Sequence, residues 1–448
     1  MLDDDTSDSA QPGSEGTQDT DDRPGTRQQA KRRVVLGAML VDSLGSGLWM
    51  PFSLLFFVRA QGQSLGTIGM ALTVGSLLGL GVGQISGGLV DRYGPGPAVV
   101  VSNAGRAVSF ALYPFAHSLW AVMLLVGLTS AADRAFWTAN APLIAKVVQA
   151  REVDRFLGTT GMARVIGLGI GSAAAGAFGQ STAGLHLVAY CNAITFAAAG
   201  ALLVTALGPA FFAPRSTSPG TTEAEAPDAS VRPDRDVSVW RDRPYLQLCL
   251  LQIVFVLAAS AFVVILPLVI SDELDGPTWL AGISIVVGNV VLAALQHPVL
   301  AWTTKRPRAR MLAVSVLFYV PALLLLAPGD AMGHRLVVPV VLGAAALAAM
   351  GELISTPLMI SAANASAPEG HEGRYSAAFQ TGWGLANVLG PLVYTTLLGV
   401  GNEVLWLTLA ALTLATAPVL MRLRSRLPAG VLSADPVKSH SPMQEQDA

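Results

Sequence analysis

The chain has 448 residues, of which 52% are hydrophobic and only 13% charged, with a mean hydropathy of +0.53. A water-soluble chain carries about 25% charged residues, so charge at half that density excludes a soluble enzyme, a nucleic-acid-binding protein and a disordered chain. Of the 58 charges, 13 lie in residues 1–33, 11 in 213–243 and 7 in 422–448, and the two long stretches between them read as a polytopic membrane protein.

Residues 1–33 open with eight acids among Ser, Thr, Gly and Gln, the composition of a disordered tail rather than of a signal peptide. The basic cluster Arg27, Lys31, Arg32 and Arg33 then meets the first apolar run. A spanning helix needs about 20 apolar residues. Such runs fall at 34–58, 66–88, 97–116, 118–145, 157–179 and 183–207, and again at 245–270, 278–302, 310–328, 335–363, 376–399 and 404–421. Their length and their Leu, Ala and Gly content predict helices rather than strands. The expected fold is therefore an all-α membrane protein with twelve transmembrane helices in two six-helix halves.

Basic residues test this count, because loops rich in Lys and Arg face the cytoplasm and orientation alternates with every span. With both termini cytoplasmic, the inside segments carry 23 basic residues and the outside loops only Arg59 and Arg335. The expected organisation is a cytoplasmic N-tail (1–33), an N-terminal half (34–208), a flexible linker (209–243), a C-terminal half (244–423) and a cytoplasmic C-tail (424–448). The linker, rich in Pro, Ser, Thr, Ala and Glu, cannot bury a core. The halves read as repeats. Arg155-Phe-Leu-Gly and the Arg164–Gly171 run correspond to Arg374-Tyr-Ser-Ala and the Trp383–Gly390 run, 219 residues later.

The turn after the second run reads Gly87-Gly-Leu-Val-Asp91-Arg92-Tyr-Gly94. It resembles the G-x-x-x-D-R-x-G signature of the major facilitator superfamily, although Pro95 and Gly96 stand where a basic pair usually follows. Gly351-Glu352-Leu-Ile-Ser-Thr-Pro357, then Gly373-Arg374-Tyr and Gly390-Pro391, is similar to the drug:proton antiporter branch of that superfamily. In the fifth run Ser172 replaces the proline of the antiporter signature. The resemblance implies transport by alternating access, with Gly87, Asp91, Arg92 and Gly94 as a cytoplasmic gate and spans 1, 4, 7 and 10 lining a central cavity.

Small residues recur every four positions at Gly75, Gly79, Gly83 and Gly87 and at Ala163, Gly167, Gly171, Ala175 and Gly179. Such ridges let helices approach closely in lipid, either as static packing or as surfaces on which halves rock. Six charges fall inside spans: Asp42, Arg106, Asp133, Arg134, Arg164 and Glu352. Each costs at least about 2.5–3.5 kcal/mol at mid-bilayer, so they must face the interior or water. They serve either as structural ion pairs or as a proton relay. In the relay reading Asp42 and Glu352 lead as proton-coupling acids, with Arg134 and Arg164 as switchable partners and Asp133 paired to one of them. Arg106 reads as a structural ion-pair residue. Ser46 and Trp49 recur at helical spacing from Asp42, Trp137 and Asn140 share a face with Asp133, and span 11 supplies Gln380, Trp383 and Asn387, which together form an expected, partly aromatic cavity lining.

The expected function is proton-coupled export of a drug-like or secondary-metabolite molecule, with uptake or exchange of a nutrient as the alternative. No Walker motif, metal cluster or nucleophile constellation is present in the sequence, so no cofactor, no ATP and no nucleic acid is expected. Cys191 and Cys249 read as small core residues. The expected setting is the bacterial plasma membrane, as a monomer.

Overall fold

The computed structural model describes residues 24–148, 153–178, 181–208, 239–303, 305–368 and 371–425. Long helices follow one another with short turns: α1 (Pro24–Trp49), α2 (Leu65–Tyr93), α3 (Pro95–Leu112), α4 (Leu119–Val147), α5 (Val153–Phe178) and α6 (Thr182–Leu207), then α7 (Arg243–Val264), α8 (Trp279–Thr303), α9 (Arg308–Leu324), α10 (His334–Ser366), α11 (Glu372–Val400) and α12 (Asn402–Leu423). No strand occurs among the described residues, and nine of their helices are long and apolar enough to cross a membrane. The protein is thus an all-helical, multi-pass membrane protein.

Helix α1 begins at Pro24, inside the stretch expected to be a disordered tail. Proline is preorganised for a first helical turn, and the Arg, Gln, Ala and Lys residues that follow are good helix formers. Residues 1–23, 209–238 and 426–448 lie outside the described residues, so the tail and linker assignments fall largely there. The end of the linker is an exception. Asp242 caps α7 by accepting from the Tyr245 amide at 3.0 Å and accepts from the Tyr375 hydroxyl at 2.9 Å, which ties residues 239–243 to α7 and α11.

Helices α1 to α6 pack on one another, as do α7 to α12, and the halves meet through α2 against α11 and α5 against α8. Among the described residues, the close contacts across these seams lie toward the face opposite the one that carries the described chain ends. There Arg59 pairs with Asp272 and donates to the Ser271 carbonyl at 3.4 Å. Farther in, the Thr73 hydroxyl donates to the Val388 carbonyl at 3.0 Å. A Cβ at Gly282 would overlap the Ser172 carbonyl, and one at Gly69 would overlap Thr395. Toward the terminal face, Met162 and Arg164 of α5, Gln296 and Trp302 of α8, and Gln380 and Trp383 of α11 are all exposed. Among the described residues, the halves therefore meet closely at one face, the closed face, and leave these side chains uncovered at the other, the open face.

The glycine ridges divide by partner. Gly75 and Gly79 pack against Met123, Val126 and Ser130 of α4, and Gly167 and Gly171 against the α1 backbone from Leu40 to Leu48. These are contacts within one half, so at these four positions the static-packing reading holds. The surfaces between halves instead use Gly69, Gly176 and Gly282.

Helix α1 is interrupted at Pro51. A 3-10 turn (Met50–Phe52), a short α-turn (Ser53–Leu55) and a π-turn (Phe56–Ala60) replace the regular ladder. Proline lacks the N–H that would reach the carbonyl four residues back, which here is that of Gly47. The Ser172 hydroxyl donates to that carbonyl at 3.1 Å. Serine in the fifth run, where the antiporter signature has proline, thus satisfies a backbone group that lipid could not. Ser172→Ala should therefore lower stability by about 1–3 kcal/mol, while Ser172→Thr keeps the bond. Thermal unfolding followed by thiol-dye labelling of the buried Cys249 reads this difference.

Candidate functional site

The two acids at membrane depth in the N-terminal half converge on one guanidinium. Arg106 of α3 donates from Nη2 to Asp42 Oδ1 of α1 at 2.6 Å and from Nη1 to Asp133 Oδ1 of α4 at 3.2 Å. It also donates to Asn103 Oδ1, one helical turn earlier. Its ring-like plane lies 4.3 Å from the Phe136 ring centroid and 4.1 Å from that of Phe196. Helical spacing explains the arrangement: Asn103, Arg106 and Phe110 share a face of α3, and Asp133, Phe136, Trp137 and Asn140 share a face of α4.

Burial is unequal across this trio. The Arg106 side chain is 3% exposed and that of Asp42 9%, whereas that of Asp133 is 45% exposed. One cation thus holds an inner and an outer carboxylate. With both acids ionised the trio carries one negative charge, and a single proton makes it neutral. Only Arg, with a planar fork, can bridge two carboxylates while offering both faces to aromatic rings. Arg164 of α5 is set beside the trio with its guanidinium 4.4 Å from the Trp137 ring centroid.

The C-terminal half holds a single charge at membrane depth, Glu352 of α10. Beside it opens a cavity of about 320 Å³, lined by Gln252 and Phe255 of α7, Tyr319 of α9, Glu352, and Trp383 and Asn387 of α11. Met50, at the break in α1, is the N-terminal half's contribution to the wall. A pocket of about 70 Å³ lined by Asn289 and Ala348 also reaches Glu352. Among the described residues no basic side chain pairs with Glu352.

The family model of the Major Facilitator Superfamily matches residues 34–391 and, again, 248–442. The chain belongs to the major facilitator superfamily. It is a transporter rather than an enzyme. Among its curated relatives is the multidrug resistance protein MdtH of Yersinia enterocolitica, 25% identical over 285 residues, 63% of this chain and 66% of the relative. The MdtH of Klebsiella pneumoniae is 25% identical over 275 residues, 60% of this chain and 64% of the relative. The chain spans just under two thirds of the length of these relatives. Solved structures with the same fold include the nucleoside transporter NupG, with a TM-score of 0.68 at 11% identity, covering 88% of this chain and 98% of NupG. A bacterial homologue of the human lysosomal transporter Spinster, inward-facing and unoccupied, has a TM-score of 0.66 at 11% identity, covering 89% and 97%.

This superfamily member departs from the sequence reading in its charge pairing. Asp133 pairs with Arg106, not with Arg134 or Arg164, and Asp42 pairs with the same guanidinium. Arg134 makes no ion pair among the described residues, and its Nε is buried without a partner. Of the two leading proton-coupling acids, Asp42 is held in the Arg106 trio and Glu352 has no basic partner among the described residues. Of the expected cavity residues, Trp383 and Asn387 line the cavity at Glu352, and Gln380 is exposed on the same helix. Trp137 stacks on Arg164. Asn140 is buried with its Oδ1 unpartnered. Ser46 donates to the Asp42 carbonyl at 3.1 Å. Trp49 departs from expectation: its ring stacks on Tyr113 at 5.2 Å within a cluster with Phe56, Phe57 and Phe110, so it packs the closed face. Gln252, Tyr319 and Met50 were not anticipated.

In the gate motif Gly87, Asp91 and Arg92 fall in the last turns of α2, and the surroundings of their side chains lie outside what the structure describes. Gly94 has φ 86° and separates α2 from α3, a left-handed position that favours glycine. An added Cβ there would sit 3.7 Å from Lys146 Nζ.

Proposed function

We propose that the protein is a proton-coupled exporter of drug-like small molecules. It would cross the bacterial plasma membrane twelve times with both termini cytoplasmic, and act as a monomer without ATP or cofactor. The observation that carries this reading is the Arg106 trio. A cation shared by a buried and an exposed carboxylate is a site for one proton. Asp133 meets the aqueous side and Asp42 stores the charge inside. Moving the proton between them frees Arg106 to favour one carboxylate over the other, and the three residues sit on three helices that can shift with it.

The distribution of basic residues supports cytoplasmic termini, and with that orientation the open face is the cytoplasmic one. The multidrug names of the relatives support export of drug-like compounds. The GxxxDRxG turn is compatible with a cytoplasmic gate.

Expression in a drug-sensitive host tests the function. The expected result is raised resistance to several unrelated compounds and dye extrusion that an uncoupler abolishes. Unchanged sensitivity across a broad panel, with growth on a single nutrient, would support the importer reading instead.

A further inference from the structure

A further cavity lies on the outer surface of the N-terminal half, away from the seams between the halves. It measures about 480 Å³ and runs between α3 and α4, beside the end of α2. Helix α3 packs on α2, α4 and α6, all of its own half. Its outward row Val101, Val108 and Leu112 is exposed, as are Leu124 and Leu128 of α4. In a membrane-spanning chain such rows of exposed apolar side chains face the lipid tails.

Residue size shapes the groove. Ala98 and Gly105 of α3 and Ala131 and Ala135 of α4 form its floor, and the exposed Tyr93, Val101 and Leu128 stand along its rim. A Cβ added at Gly105 would sit 3.5 Å from the Ala132 Cβ, so the two helices nearly touch beneath it. The Ser102 hydroxyl, which also lines the groove, already donates to the Ala98 carbonyl at 2.6 Å. The floor is thus apolar and its polar group satisfied.

Length decides the occupant. Tyr93 ends α2 at the face of the described chain ends, and Pro97 stands in the first turn of α3. From Pro97 to Gly105 the helix advances about 12 Å, and one leaflet of the hydrocarbon core is about 15 Å thick. The groove therefore starts at interfacial depth, where exposed tyrosines concentrate, and ends near the midplane. A lipid tail entering from that leaflet runs the same course, whereas a helix of a second copy would need a seam through both leaflets. In lipid, association is driven by van der Waals contact, and a furrow gives a methylene chain more contacts than a convex helix surface does.

We infer that the α3–α4 groove is a binding site for one acyl chain of a phospholipid, drawn from the leaflet at the face of the described chain ends. The inference requires only that the chain spans a membrane, and is independent of what the protein transports. Gly105 and Ala132, at the base of the groove, directly precede Arg106 and Asp133. The bound tail thus lies behind the helix contact that carries the proposed proton site.

Photolabelling of the full chain tests this. The protein is placed in phosphatidylethanolamine–phosphatidylglycerol vesicles doped with a phosphatidylcholine that carries a diazirine midway along one tail. Adducts mapped by mass spectrometry should be at least about threefold denser over 98–105 and 128–135 than around the exposed Ile194 of α6 and Leu414 of α12. Groove labelling should saturate as the dopant fraction rises, while labelling at the two reference positions keeps rising in proportion. Ala131→Phe and Ala135→Leu each fill the floor and should remove the excess. Unchanged reference labelling in these variants reports an intact fold. Equal labelling of groove and reference positions in the wild type would overturn the assignment, as would an excess that survives both substitutions. Disulfide formation between copies of Val101→Cys, with no adducts in the groove, would assign the groove to a second copy instead.

Discussion

Arg106→Gln should abolish pH-driven transport and lower the stability of the protein by about 3–5 kcal/mol, the usual cost of stripping one partner from a buried ion pair. The reason is geometric. Asp42 and Asp133 are both held by this guanidinium, at 2.6 and 3.2 Å, and without it the buried Asp42 and the half-exposed Asp133 are left with no cation between them. Arg106→Lys should also fail, because an ammonium cannot bridge both acids and stack against Phe136 and Phe196. The triple variant Arg106→Gln, Asp42→Asn, Asp133→Asn should recover most of the lost stability, since the trio then holds no charge, yet remain inactive in coupled transport. Thermal unfolding and proteoliposome flux measure the two effects. By contrast, breaking the half-exposed Arg59–Asp272 pair should cost about 0–1 kcal/mol.

Gly282→Val should leave the fold intact and shift the molecule away from the state described here. The added side chain meets the Ser172 carbonyl where α5 and α8 close the face away from the described chain ends. Overpacking of this kind costs about 1–3 kcal/mol, or about 5–150-fold in a two-state population. The penalty applies only while that face is closed, because separation of the halves removes the contact. Transport should fall at least about tenfold. A cysteine introduced by Gln380→Cys, exposed at the open face, should label more slowly in the Gly282→Val background. Unchanged labelling and flux would show that α5 and α8 do not separate there. Gly171→Val differs, since Gly171 packs against α1 of the same half. It should destabilise the fold whatever the state.

Much of this architecture was legible before any coordinates. Run length and the absence of charge mark where helices cross lipid, because unpaired backbone groups and charges are costly there. The six charges at membrane depth also announced themselves by type. Their partners did not. Periodicity tells which residues share a helix face, so Asp133 and Trp137 could be grouped, but not which neighbour that face meets. The rotation of α3 brings Arg106 between α1 and α4, and Asn103 one turn earlier was the available hint. Trp49 shows the same limit: its spacing from Asp42 is helical, but spacing does not say that its ring, at the end of α1, meets Tyr113. The ridge at Gly75 and Gly79 fits a moving surface or a fixed one equally in sequence, and only its α4 partner decides.

Flux in proteoliposomes under an imposed pH gradient tests the proposed proton site most directly. Wild-type protein should move substrate faster as the gradient steepens. Asp42→Asn should lose that acceleration while still exchanging substrate for substrate at equilibrium, because the trio then holds no proton to release at its inner carboxylate. Acceleration by the gradient equal to that of the wild type in Asp42→Asn would contradict the account.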